Sequence, residues 1–300
     1  MRGYQWKRQR VDRRSHRRAE RTGRRRQSAL KFTAGLLLAG LVCLAAYVAL
    51  IEPRMVKVSR HEIALEDLPW AFDGFTIVQL SDFHIGLWSR PAGVQRLVSR
   101  VNALDADLIV LTGDYVNKFR GNVEPAGRAL RGLTARCGVY AVLGNHDYWV
   151  DAEGMTDALR ESGIDVLFDE KREISLEGAR VWLVGVDDIW EGDPDYDKAL
   201  DGVRPEDTCI VLAHSPDAIL ALDGRPVDLV LSGHTHGGQV NLPIVGPLYA
   251  PTALGPKYAA GSFRFGKTQL YISRGLGFQT PIRFRCPPEI PVFTLRRGNR

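Results

Sequence analysis

The chain has 300 residues, 45% of them hydrophobic and 25% charged, enough for one sizeable core with an attached leader. Its four cysteines, Cys43, Cys137, Cys209 and Cys286, form no CxxC pair, which points away from a thiolate metal site and from a dense disulfide framework. The net charge of +5 comes from the leader: residues 1–31 hold thirteen Lys/Arg against Asp12 and Glu20, while residues 32–300 hold 27 against 33 acids, so no nucleic-acid partner is expected for the body.

Residues 32–51 read FTAGLLLAGLVCLAAYVALI, twenty positions without a charge. As a helix rising about 1.5 Å per residue they span roughly 30 Å, the thickness of a bilayer's hydrocarbon core. A cleaved signal peptide has a shorter apolar region and a small-x-small site, and residues 45–49 offer no clean one, so an uncleaved transmembrane anchor is expected. Thirteen cations precede the span, and only Arg54, Lys57 and Arg60 follow it closely. That asymmetry predicts a basic cytoplasmic tail (1–31) and a folded domain on the outer side of the cytoplasmic membrane. Arg24-Arg25-Arg26 also permits a twin-arginine export signal, although Gln27-Ser28-Ala29 lack the apolar character such signals use. Residues 52–71, punctuated by Pro53 and Pro69, read as a connector.

From residue 72 onward, short apolar runs each end at a polar motif. Run 75–80 precedes Ser81-Asp82-Phe83-His84, run 108–111 precedes Thr112-Gly113-Asp114, and run 138–143 precedes Gly144-Asn145-His146-Asp147. Run 210–213 precedes His214, and 229–231 precedes Ser232-Gly233-His234-Thr235-His236. Such runs predict buried strands with the motifs on loops at their carboxyl ends. Residues 92–104 space Val94, Leu97, Val98, Val101 and Leu104 at three and four, one face of a helix. The alternation predicts helices layered on a mixed sheet, with functional groups gathered at one edge. After His236 the chain is rich in Pro and Gly; late strands at 269–273 and 292–295 call for a second sheet.

Two of the seven histidines, His16 and His61, precede the domain, and the other five all fall in the motifs. Packing residues would not be confined in that way. Two divalent cations held close together need mixed oxygen and nitrogen ligands, and a carboxylate bridging both offsets their repulsion. Asp114 is the bridging candidate. Asp82 and His84, two apart in an extended segment, are expected to point the same way and share an ion; His234 and His236 repeat that spacing.

Taken in order, Asp82-x-His84, Gly113-Asp114, Gly144-Asn145-His146-Asp147, His214 and Gly233-His234-x-His236 resemble the motifs of the calcineurin-like metallophosphoesterases, with no departure at a liganding position. Gly237-Gly238-Gln239, Ser273-Arg274-Gly275-Leu276-Gly277 and Cys286-Pro287-Pro288-Glu289-Ile290 resemble one membrane-associated bacterial branch, which includes phosphodiesterases and UDP-2,3-diacylglucosamine pyrophosphatases. The resemblance implies an α/β fold, a four-layered α/β/β/α sandwich, over a domain at 72–296. It implies a first divalent ion held by Asp82, His84, Asp114 and His236, and a second held by Asp114, Asn145, His214 and His234. Oxygen and imidazole donors suit Mn, Fe or Zn.

The expected reaction is hydrolysis of a phosphodiester or pyrophosphate, with lipid-linked phosphoesters and the bilayer as the partners the anchor suggests. In that scheme the cations lower the pKa of a bridging water, and the hydroxide attacks phosphorus. His146 is expected to reach the substrate; Asp147 is expected either to orient it and keep it cationic or to be a surface acid that caps a turn. Trp88, Arg90, Asn117, Tyr148 and Trp149 are candidates for the cleft, whereas Arg274 and Arg283 are not expected to be catalytic. A second class of function is a catalytically weak metal protein binding anionic lipid or cell-wall polymer; the intact ligand set together with His146 argues against it.

Overall fold

The computed structural model describes residues 2–278 and 280–298. Up to residue 23 only Arg18 and Arg21 have described side chains, so the basic character expected of the leader lies largely outside the described residues. The chain divides into two compact units, Met1–Tyr47 and Val48–Arg300. The first is one helix, α1 (Arg2–Ala46). The stretch Arg24–Arg54 is long and apolar enough to cross a membrane. Its aliphatic side chains, Leu36, Leu37 and Leu41 among them, are exposed.

In the second unit, residues 52–71 are not the connector expected of them. Glu52 and Pro53 are buried, and β1 (Lys57–Leu65) pairs in parallel along its whole length with the last strand of the chain. Leu65, Leu68 and Phe72 enter the core. Only Ile63 and Leu65 of β1 are buried, while Lys57, Arg60, Glu62 and Ala64 are exposed. So weak an alternation is that of an edge strand, which a scan for apolar runs passes over.

The first half of the body alternates as the periodicity predicts: β2 (Thr76–Leu80), α2 (Pro91–Asn102), β3 (Leu108–Thr112), α3 (Val123–Leu130), β4 (Val139–Val142), α4 (Asn145–Arg160) and β5 (Asp165–Val166). The second half runs β6 (Glu170–Leu176), β7 (Ala179–Gly185), α5 (Tyr196–Ala199), β8 (Cys209–Leu212), α6 (Ile219–Leu222) and β9 (Leu229–Ser232). It ends with the small hairpin β10 (Asn241–Leu242) and β11 (Gly246–Pro247), then β12 (Gly261–Phe265), β13 (Thr268–Ile272) and β14 (Glu289–Arg297).

These strands form two six-stranded mixed sheets, ordered β1-β14-β2-β3-β4-β5 and β12-β13-β9-β8-β7-β6. In each, the strands that carry motifs run parallel to one another: β2, β3 and β4 in the first, β8 and β9 in the second. Their carboxyl ends therefore open on one side.

The side-chain period of two decides the layers. Val78, Leu80, Ile109 and Leu111 face α2, α3 and α4. Their neighbours Ile77, Leu108 and Val110 pack against Leu183, Ile210, Leu212 and Leu229 of the other sheet. Val211, Val230 and Leu270 turn away to meet Ile219 and Leu222 of α6. The result is the expected α/β/β/α sandwich, each fully buried aliphatic side chain contributing about 1.5–3 kcal/mol by leaving water. Gly127 sets the spacing of α3 on α4: a Cβ there would lie 2.5 Å from the Ala158 carbonyl oxygen.

Candidate metal centre

Every motif sits where its strand ends, yet the chain does not continue extended into it. Asp82, His84, Asp114, His234 and His236 all have positive φ, between 46° and 71°. Left-handed backbone costs a residue with a side chain about 1–2 kcal/mol. The expectation that Asp82 and His84 converge because they alternate along an extended segment is therefore corrected. They converge because the backbone coils left-handed at each, and the same holds for His234 and His236.

Neighbouring segments over-determine that conformation. The N–H groups of Asp82 and His84 donate to the carbonyls of Gly113 and Asp114, at 2.9 and 3.0 Å. From the other side, Leu276 and Gly277 donate to the carbonyls of Ser81 and Asp82. Gly277 is required there, since a Cβ would fall 2.0 Å from the Phe83 carbonyl oxygen. The fully buried guanidinium of Arg283 holds this segment in turn, donating to the carbonyls of Arg274, Gly277 and Cys286.

All seven expected ligands are buried, and six of them fall into two groups that could hold a metal ion, Asp82, His84, Asp114 and His236 in one and Asp114, His214 and His234 in the other, with Asn145 beside the second. In the first, His84 Nε2 lies 2.9 Å from His236 Nε2 and 3.3 Å from Asp114 Oδ2, and His236 Nε2 lies 3.6 Å from Asp82 Oδ1. In the second, His214 Nε2 lies 3.4 Å from Asp114 Oδ2, 3.0 Å from His234 Nδ1 and 3.1 Å from Asn145 Oδ1. Asp114 Oδ2 belongs to both.

The donor chemistry fits cations. His214 Nδ1 meets the Thr112 carbonyl oxygen at 2.7 Å, an acceptor that fixes the proton there. Its Nε2 lone pair then faces a carboxylate oxygen, an amide oxygen and another imidazole nitrogen. Acceptors converge with too few protons to bond them to one another, which is the arrangement a cation satisfies.

The protein's own charges tell the same story. Burial drives His84 and His234 down to about 3, and drives His236 well below its ordinary value, so all three are neutral at pH 7 and able to offer a lone pair. Burial also lifts Asp82, to about 6. Burial opposes ionisation of Asp114, but His214 and His84 outweigh it and hold that carboxyl well below the usual range. The same pairing holds His214 well above its usual value against burial. The cluster thus retains protons more readily at His214 and Asp82, where a bound cation would take their place, while burial keeps the other three imidazoles neutral.

His146 lines the cavity beside these groups, its ring 4.6 Å from that of His84 and 4.5 Å from that of Trp149. Its Nδ1 meets the Asn117 carbonyl oxygen at 3.1 Å, and its backbone N–H donates to Asp114 Oδ1. Of the two readings of Asp147, the geometry follows the capping one, with the acid buried and not at the surface. Its fully buried carboxylate accepts from the N–H groups of Asp114 and Gly144 on one oxygen, and of Tyr115 and Val116 on the other. It follows His146 on the first turn of α4, where side chains one apart face different ways.

The cavity, about 560 Å³, is lined by Trp149 but not by Trp88, Arg90 or Tyr148. The Tyr148 hydroxyl donates to Asp187 instead. Sequence reasoning missed Trp190, whose ring lies 4.7 Å from that of His234, and the lining residues Leu248, Tyr249 and Ile282. Trp190 was findable: β7 is another apolar run ending at a polar motif, Asp187-Asp188. The others sit on irregular chain and leave no periodic signal.

A sandwich of two sheets carrying two buried clusters of Asp, Asn and His at the strand ends defines a metal-dependent phosphoesterase. Residues 75–238 match the family model described as calcineurin-like phosphoesterase. The chain is 35% identical to "Uncharacterized metallophosphoesterase YkuE" of Bacillus subtilis (strain 168), over 91% of this chain and 98% of the relative. It is 32% identical to "Phosphodiesterase YaeI" of Escherichia coli (strain K12), over 83% and 92% of the two. It is 29% identical to "UDP-2,3-diacylglucosamine pyrophosphatase LpxG" of Chlamydia muridarum (strain MoPn / Nigg), over 81% and 90%. The chain belongs to the calcineurin-like phosphoesterase family, and it is a phosphoric ester hydrolase with a His/Asp cluster suited to binding metal ions.

Proposed function

We propose that this protein hydrolyses a phosphodiester or pyrophosphate with two divalent ions, the first held by Asp82, His84, Asp114 and His236 and the second by Asp114, Asn145, His214 and His234. The observation that carries the reading is Asp114 Oδ2, which stands 3.3 Å from His84 Nε2 and 3.4 Å from His214 Nε2, common to both ligand sets. Bound there, Mn²⁺, Fe²⁺ or Zn²⁺ would supply Lewis acidity and an activated water. The remaining work falls to the chain. With Nδ1–H given to the Asn117 carbonyl, His146 has Nε2 as the nitrogen that holds or moves a proton at the leaving oxygen. Trp149 and Trp190 wall the cavity on which the ester settles. The relatives named phosphodiesterase and pyrophosphatase support a diester or pyrophosphate over a monoester.

The apolar run 32–51, within the stretch Arg24–Arg54, anchors the protein in the cytoplasmic membrane, and the thirteen cations before that run favour a cytoplasmic N-terminus with the hydrolase domain outside. The test uses the full chain in detergent with a chromogenic phosphodiester, a chromogenic monoester and a dinucleotide pyrophosphate, with and without Mn²⁺. Metal-dependent turnover favouring the diester or pyrophosphate is expected, falling about 10²-fold or more in His146→Ala while two ions per chain are retained. Unchanged turnover in that variant overturns the role of His146. A preference for the monoester overturns the substrate assignment.

A further inference from the structure

The hairpin β10–β11 is built wrongly for water. A tight hairpin tip in solvent takes Gly, Asn or Asp, because its backbone needs positive φ and its side chains are wet. Here the tip is Pro243-Ile244-Val245. Ile244 has φ +71°, a region a β-branched side chain enters only under strain, and its side chain is fully exposed. Val245, Leu248 and Tyr249 beside it are 57–69% exposed.

The residues that flank this apolar tip line the metal cavity and are hydrogen-bonded to the segment that meets the end of the apolar stretch. Gln239, Val240, Leu248 and Tyr249, which flank the hairpin, line the cavity together with Ile282. The Asn241 N–H donates to the Phe284 carbonyl, and the Phe284 N–H to the Gln239 carbonyl, both at 2.9 Å. Between Ile282 and Phe284, the Arg283 N–H donates to the Val48 carbonyl at 3.1 Å. The Cys286 N–H donates to Glu52 Oε1 at 2.6 Å. Val48 and Glu52 lie in the last turns of the stretch Arg24–Arg54, apolar enough to cross a membrane. One hydrogen-bonded segment thus joins the end of that stretch, the cavity mouth and the hairpin.

Charge divides along the chain in the same sense. Residues 32–228 hold 32 acids against 18 Lys/Arg, but residues 229–288, which supply the hairpin and most of the rim, hold six Lys/Arg and no acid at all. Lys257 and Arg285 of that stretch, and Arg54 at the end of the apolar run, are exposed. Exposed aliphatics among cations, with no anion nearby in sequence, match the surface of a bilayer containing anionic lipid.

We propose that the hairpin 241–247, with Leu248, Tyr249 and Ile282, inserts into the anionic surface of the bilayer that holds the apolar stretch, so that the metal cavity opens onto that surface and takes phosphoesters of amphiphilic molecules. The substrate half of this statement rests on the hydrolase reading above; the docking half does not.

The full chain is reconstituted in phosphatidylcholine–phosphatidylglycerol vesicles, with Cys43→Ser and Cys137→Ser and a fluorophore on Ile244→Cys. Quenching by doxyl-labelled lipid and shielding from aqueous iodide are expected. Iodide quenching without lipid quenching overturns the docking, and so does shielding from both, which a second copy or another protein on the hairpin would give. In parallel, Ile244→Asp/Val245→Asp is compared with wild type on two diesters, water-soluble bis(p-nitrophenyl) phosphate and vesicle-borne hexadecyl p-nitrophenyl phosphate. Neither residue lines the cavity, so the soluble diester rate should hold while the vesicle rate falls about tenfold or more. Equal rates on both esters overturn the substrate half. Should the double variant lose both rates, Ile244→Ser is read in its place and is expected to lose only the vesicle rate. A wild-type protein inactive on every diester sinks the hydrolase reading, and the quenching result then judges the docking alone.

Discussion

Asp147 serves the metal centre through the backbone. Burial, then the nearby Asp114, raises its pKa to about 7, and four N–H groups from the Asp114 and Gly144 loops aim at its two oxygens. Asp147→Ala would leave those buried donors without a partner, at about 1–3 kcal/mol each before relaxation, so a loss of roughly 3 kcal/mol or more is expected. Metal affinity should fall with it, because the loop carrying Asp114 loses its shape. Urea unfolding and metal titration of the variant check this. Wild-type stability and affinity with lost turnover would return Asp147 to the role of orienting His146. The same logic covers the five left-handed residues of the candidate metal centre: each carries strain, and the glycines and carbonyls around it keep the strained form the lowest available.

Among the elements, β1 has most to say about how the domain begins. Its nine-residue parallel register with β14 covers an edge that would otherwise be bare, and Ile63 and Leu65 close the core between the sheets. A chain starting at residue 48 should unfold cooperatively and hydrolyse a soluble diester as the full chain does. One starting at residue 66 should be less stable by about 3–6 kcal/mol, the worth of two buried aliphatics, with a lower denaturant midpoint and a tendency to aggregate through β14. Equal midpoints for the two chains would show β1 to be an ornament. In the same way Gly127 makes α3 and α4 one unit, through contact with Ala158.

For the whole molecule, the centre joins the two sheets. Asp82, Asp114 and Asn145 follow strands of the first sheet, and His214, His234 and His236 follow strands of the second. Ions bound between them should stabilise the native fold alone. At about 100 times Kd the gain is about 2.7 kcal/mol per site, several degrees in Tm for a body of this size. Calorimetry with Mn²⁺ and then EDTA should show the rise and its reversal, and Asp114→Asn should abolish most of it. A Tm indifferent to Mn²⁺ would mean that the cluster binds no such ion.

By itself the sequence determined the strands that carry motifs, the apolar face of α2, the α/β alternation, the apolar stretch and the residues that meet at the centre. These follow from periods of two and 3.6 and from polar side chains that no core would bury singly, all of them local properties. Only the tertiary structure decided that Asp82 and His84 converge through left-handed backbone, that Asp147 binds loops together, that 57–65 is a strand, and that Trp190, Tyr249 and Ile282 reach the cavity. Each depends on a partner distant in the chain: Gly113 and Gly277 for the first, the Asp114 loop for the second, β14 for the third. Such partners exist only once the sheets have packed, and no window of residues contains them.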